Sequence, residues 1–289
     1  MKKRPALESV IKPFGAVLRK RERVIDDIEA GLPPLAPDPE KNRRRPGVPM
    51  VADLSFTDLK PSLGKAYADL IPALNLAFPN LKADFSTIAA AIETGGLDLA
   101  LLSEAYLENN AEAFQASGKT VELSEEGSLG FAVNWTLSAV LNAARIKWAA
   151  SADLSSWAMG YCPFCGSMPA ISYFARPEGP TNEFLSGGGG QKYLHCALCG
   201  SQWRFRRHRC PACDTEEKDH LHYYQESGEI GERIDVCRKC GHYLLGIDLR
   251  EIAEPPSMDM AAVAMVHLDI SAREKGFHPM TWTPWNRIG

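Results

Sequence analysis

Four short strings decide the reading: Cys162-Pro163-Phe164-Cys165-Gly166, Cys196-Ala197-Leu198-Cys199-Gly200, Cys210-Pro211-Ala212-Cys213-Asp214 and Cys237-Arg238-Lys239-Cys240-Gly241. They contain all eight cysteines of a 289-residue chain; the first 161 residues and the last 49 have none. Cysteines that merely filled cores would not sort themselves into C-x-x-C pairs. Two residues between cysteines make a tight turn that points both sulfurs at one ion, and a second such turn closes a tetrahedron of thiolates. Four pairs therefore predict two four-cysteine sites. The residue after each pair is glycine in three cases and Asp214 in the fourth. That position often needs positive φ, which glycine adopts cheaply and aspartate tolerates better than most residues.

Pairing in chain order is the natural arrangement. Cys162/Cys165 with Cys196/Cys199 encloses 30 residues, and Cys210/Cys213 with Cys237/Cys240 encloses 23. Only 10 residues separate the two central pairs, so a site joining those pairs is the less natural choice. The candidate metal ligands are thus Cys162, Cys165, Cys196, Cys199, Cys210, Cys213, Cys237 and Cys240. Thiolate tetrahedra accept zinc and iron alike. His195, His208 and His242 lie close to the pairs, but with four thiolates per site they read as surface or hydrogen-bonding residues. Thioredoxin-like redox chemistry uses one C-x-x-C, not four in series.

Outward from the cysteines, the composition shifts. Residues 160–250 are rich in Gly, Cys and aromatics, with short β-type runs at 170–174 and 222–224. Ahead of them the pattern is helical. Leu7, Val10, Ile11, Phe14, Val17, Leu18, Ile25 and Ile28 recur mostly three or four apart. Further helices are expected near 57–78, 80–94, 97–117 and 128–150, packed as a bundle. Pro33 to Pro39 and the basic stretch Lys41 to Gly47 break this region. Glu125 and Glu126 are read as capping the helix that follows. A helix is expected over Met258–Gly276 and coil over 282–285. The fold class is therefore α+β. The expected domains are an α-helical part over 1–157, two four-cysteine modules over 158–204 and 205–250, and a C-terminal helix and tail over 251–289.

Net charge is −4, from 32 basic and 36 acidic side chains. Residues 160–250 balance at 11 of each, which argues against nucleic acid even though Trp203-Arg204-Phe205-Arg206-Arg207-His208-Arg209 alternates aromatics with arginines. A strand with outward arginines, or one that docks an acidic patch, is the alternative. Gly187 to Gly190 lacks the Lys-Ser/Thr ending of a phosphate loop. No nucleophile elbow, H-E-x-x-H or dinucleotide fingerprint is present, so no catalytic site is assigned. Met1-Lys2-Lys3-Arg4 is not followed by an uninterrupted apolar region, and no run is long enough to span a membrane. The expected location is the cytoplasm.

The strings around the cysteines go beyond a generic ribbon. Cys162 to Pro169, Tyr193 to Trp203, Arg209 to Cys213 and Cys237 to Leu244 together resemble the formate dehydrogenase accessory protein family, FdhE. The resemblance is specific over about 160–250, and Met258–Gly276 with Leu268-Asp269 is also similar. The N-terminal half is similar only in its helical character and in the turn Arg45 to Pro49. The stretch Pro177–Gly190 is read as an insertion in the first module. The resemblance implies a helical region followed by two rubredoxin-like modules, with the eight cysteines as iron-type ligands. It also implies a maturation factor, chaperone-like and not itself an enzyme, whose partner is the catalytic subunit of a formate dehydrogenase. A homodimer stays open. The other classes are a rubredoxin-like electron carrier and a zinc-ribbon nucleic-acid binder.

Overall fold

A computed structural model describes residues 5–34, 46–52, 54–148, 156–175, 190–226, 231–252 and 254–287. The arginine run 43–45 and residues 177–189 of the suggested insertion lie outside them. The chain divides into two compact units. One comprises 8–46 and 50–152; the other is chiefly 153–289, with residues 47–49 folded into it.

The first unit is helical. α1 (Glu8–Glu29), α2 (Lys60–Ala77), α3 (Lys82–Glu93), α4 (Leu99–Leu107), α5 (Ala111–Gly118) and α6 (Ser128–Trp148) follow in order. α1 packs on α2 and α6, and α2 also packs on α6. α6 is buried on nearly every side, from Leu129 and Val133 through Trp135 and Leu137 to Ala144 and Trp148. Phe14, Phe78, Phe85, Phe131 and Trp135 form a chain of ring contacts with centroids 5.0–6.3 Å apart. Such pairs add to what their buried area supplies.

Two details depart from the sequence pattern. The single helix expected over 97–117 breaks at Asn109, which takes φ +52, and Asn110 caps α5 by accepting from the Ala113 N–H at 3.0 Å. Asparagine suits both jobs. The carboxylate that closes the start of α6 is Asp84, not Glu125 or Glu126. Its oxygens accept from the Ser124 N–H (2.8 Å), the Glu125 N–H (3.0 Å) and the Ser128 hydroxyl (2.6 Å). Burial opposes its charge, but these donors win and hold its pKa down at about 2.

The second unit is one mixed sheet. Its strands are β1 (Ile171–Phe174), β2 (Lys192–His195), β3 (Gln202–Phe205), β4 (Leu221–Tyr224), β5 (Glu232–Cys237), β6 (His242–Asp248) and the short β7 (His278–Pro279). The order is β3-β2-β1-β6-β5-β4, with β7 against β6. Two antiparallel three-stranded ribbons are thus joined edge to edge by the parallel β1–β6 pair, Ile171 opposite Leu245.

Register assigns the faces, because opposed residues share a side. One face carries Ile171, Tyr173, His195, Tyr243, Leu245 and Ile247. The C-terminal helices α7 (Met258–Ala264) and α8 (Val266–Glu274) bond to it through Asp259 and Asp269. The helix expected over 258–276 is therefore two, parted at Met265, whose N–H bonds back to Ala261 and Ala262. The opposite face carries Ser172, Phe174, Lys192, Arg233, Asp235, Leu244 and Gly246. Among the described residues, no helix is long and apolar enough to cross a membrane.

Candidate metal centres

Each C-x-x-C string forms the same turn. The N–H of the residue after the second cysteine donates to the carbonyl of the first: Gly166 to Cys162 (2.9 Å), Gly200 to Cys196 (2.8 Å), Asp214 to Cys210 (3.0 Å) and Gly241 to Cys237 (2.9 Å). In three turns the N–H of the first cysteine also bonds the carbonyl five residues on, at Ser167, Ser201 and Thr215. The donor residues have φ of +81, +69, +58 and +74°. These are left-handed values, which explains glycine at three positions and the tolerated aspartate at the fourth.

The four turns meet in pairs, in chain order. Cys162, Cys165, Cys196 and Cys199 form one cluster, and Cys210, Cys213, Cys237 and Cys240 form the other. Within each cluster the sulfurs lie within 4.8 Å of one another. The Cys162–Cys199 and Cys165–Cys196 sulfur pairs are 3.4 and 3.5 Å apart; Cys210–Cys240 and Cys213–Cys237 are both 3.7 Å. A tetrahedron with metal–sulfur bonds near 2.3 Å has edges of about 3.8 Å. The donor set and spacing thus fit one ion per cluster. The arrangement between the central pairs is not formed. None of the three neighbouring histidines joins a cluster. His195 Nε2 instead lies 2.7 Å from Asp259 Oδ1, and His242 Nδ1 is 3.0 Å from the Cys240 carbonyl.

Within each cluster the cysteines shift one another's ionisation in opposite directions. In the first cluster, burial opposes ionisation of Cys162, yet the Cys165, Cys196 and Cys199 thiols donate to it and hold its pKa well down. Burial and that neighbouring charge push Cys165 well up, and thiol contacts, Cys162 first, do the same to Cys196. An ion bound here would need all four as thiolates, so its capture would release the protons of the raised cysteines. In the second cluster burial again opposes charge, but the Cys240 and Lys239 N–H groups lower Cys237. Burial raises Cys240 to about 11.

The clusters differ in wrapping. All four cysteines of the first are buried, whereas Cys213 and Cys240 of the second are half-exposed. Phe164 and Leu198, inside the first pair of turns, are buried; Ala212, Arg238 and Lys239, inside the second pair, face solvent.

Each cluster is backed by an aspartate from the C-terminal helices. Asp259 reaches His195, the neighbour of Cys196, and Asp269 accepts from the Tyr243 hydroxyl at 2.7 Å, three residues past Cys240. Sequence reasoning did not find these partners. The signal was the pair of acidic residues on the otherwise apolar face of 258–276.

Residues 161–207 match the family model described as "FdhE, central domain". A protein FdhE homolog from Aquifex aeolicus is 35% identical over 123 residues, covering 42% of this chain and 40% of that relative. A homolog from Stutzerimonas stutzeri is 30% identical over 147 residues, 49% of this chain and 45% of its own length. The chain thus matches less than half the length of these curated relatives. The crystal structure of the FdhE protein from Pseudomonas aeruginosa superposes with a TM-score of 0.58 at 21% identity. It covers 96% of this chain and 95% of that one, so the fold is shared. The chain is thus similar in sequence to FdhE homologs over part of its length and shares the fold of an FdhE protein over nearly all of it.

Proposed function

We propose that this protein is an accessory factor for formate dehydrogenase, acting in the cytoplasm on the immature catalytic subunit and not catalysing formate chemistry itself. In this reading the eight cysteines are ligands of two metal ions, iron or zinc, one per cluster. The observation that carries it is the pair of tetrahedral sulfur clusters within a sheet of FdhE type. Bound metal would fix the four turns and so make the sheet a rigid docking body. In small thiolate sites, metal binding supplies about 10–16 kcal/mol of folding free energy.

The test is an anaerobic affinity capture from native cells, paired with formate dehydrogenase activity in a strain lacking the gene. Recovery of the catalytic subunit, with activity restored by the wild type but not by the Cys237→Ser/Cys240→Ser double variant, is the expected result. Full restoration by that variant would refute a role for the second cluster. Half-exposure of Cys213 and Cys240 favours one second reading, a rubredoxin-like electron carrier. It requires iron and a reversible potential, and zinc in the anaerobically purified protein would dismiss it.

A further inference from the structure

The sheet face opposite the C-terminal helices carries a cavity of about 250 Å³. Its floor and walls include Phe174, Lys192, Tyr223, Arg233 and Asp235, and Arg207 enters from the link between the two ribbons. Gly246 makes the floor possible. A Cβ there would lie 3.1 Å from the Arg233 side chain, so glycine lets that arginine lie across β6. Arg233 thereby reaches the Phe174 ring, its guanidinium 4.5 Å from the centroid and 5.5 Å from that of Tyr223. The guanidinium of Arg207 is 5.0 Å from the Phe174 ring centre.

The charges do not balance. Lys192 Nζ is 2.6 Å from Asp235, and Arg233 Nε is 2.9 Å from the same carboxylate. Asp235 therefore contacts two cations, while Asp248 nearby is ion-paired to Arg250. Arg207 faces no carboxylate among the described residues; it donates to the Gly190 carbonyl and stacks on Phe174. Arg209, the next cation round the rim, is neutralised by Asp214 at 3.0 Å. Lys192 is only 4% exposed. A buried ammonium that shares its counter-ion beneath an opening is costly unless a second anion enters.

We infer that this cavity is a binding site for a small phosphomonoester, its phosphate held by Arg207, Arg233 and Lys192 and its organic part lying against Phe174 and Tyr223. Lys192, Arg207 and Arg233 outnumber Asp235 by two charges, and a phosphate dianion would match those side chains. Guanidinium forks suit its oxygens, and a cavity of this size suits a small molecule. Tyr223 is 63% exposed, an aromatic wall with an open side.

The experiment is calorimetric titration of the full-length, metal-loaded protein at low salt with inorganic phosphate, adenosine monophosphate and citrate. Saturable binding of both phosphates is expected, weakened by at least about tenfold in Arg207→Glu. Arg207 is exposed and, among the described residues, contacts a carbonyl and a ring, so that variant is expected to keep the fold. Tyr223→Ala should weaken adenosine monophosphate and spare inorganic phosphate. Three outcomes overturn the inference. The first is no saturable phosphate binding at millimolar concentration. The second is citrate binding more tightly than either phosphate. The third is an Arg207→Glu protein that binds phosphate normally but loses metal, since Cys210 and Cys237 also line the cavity and the cations would then serve the thiolates.

Discussion

The two cysteine clusters are built from one turn and differ in what fills it. In the first, Phe164 and Leu198 stand between the cysteines and are buried with them. In the second, Ala212, Arg238 and Lys239 stand there and face water. The backbone hydrogen bonds and left-handed residues are nearly the same in all four turns. The turn thus fixes where the sulfurs point, and the two intervening side chains decide whether the centre is sealed. A sealed thiolate centre is a core element; a half-open one can exchange its ion or meet a partner.

The largest expected effect is on the sealed cluster. Cys196→Ser should lower the bound metal from two ions to one and unfold the sheet, read as lost protection in hydrogen exchange. Removing a ligand there leaves buried sulfurs unpaired and forfeits much of a contribution of about 10 kcal/mol or more. Cys213→Ser should also lose one ion but keep the first ribbon protected. If both variants unfold alike, the two clusters are equivalent and the contrast drawn from burial is wrong.

Chelation sharpens the same point without mutation. A strong chelator should remove one ion quickly and the other slowly, and Cys213→Ser should abolish the fast phase. A single phase would mean that exposure does not govern release.

The next effect concerns the aspartates behind the clusters. Burial, the largest influence, raises Asp269 to about 6 from an ordinary 3.8, although the Tyr243 hydroxyl donates to it. A carboxyl raised in the folded state keeps its proton when the unfolded chain has lost it. Stability therefore falls as pH rises between about 4 and 6 and is flat above, by up to about 3 kcal/mol. Asp269→Asn keeps an acceptor for Tyr243 and should remove that slope, measured as the difference in unfolding free energy between variant and wild type across this range. An unchanged slope would show that Asp269 is ionised throughout.

The smallest effect distinguishes the turns themselves. Asp214 occupies at φ +58° the position that glycine holds in the other three. Asp214→Gly should relieve strain by about 1 kcal/mol or less, offset in part by losing the surface pair with Arg209. Gly200→Ala, at φ +69°, should destabilise by about 1 kcal/mol or more. The melting temperature reports both.

Much of this was legible in the chain. The C-x-x-C spacing predicted turns that pair in order, because the geometry of two sulfurs on a tight turn is local. The helical bundle showed in the spacing of Phe14, Val17, Leu18 and Ile25. The breaks at Asn109 and Met265 did not show, because periodicity continues across them. The Asn109-Asn110 pair was a readable cap signal that the apolar pattern outweighed. The cationic cavity was out of reach for a different reason. Lys192, Arg207, Arg233 and Asp235 are far apart in sequence and meet only through register, and no local pattern encodes register between β1 and β6.

That β1–β6 pairing also has a consequence for synthesis. β1 gains its second neighbour only when residues 242–248 have been made, since Ile171 pairs with Leu245. The first cysteine cluster is complete in the chain as soon as Cys199 emerges, yet the ribbon carrying it then has a bare strand edge on its β1 side. Until the ribosome delivers β6, that edge is open to other chains. An ion captured early would hold the ribbon in register through this interval.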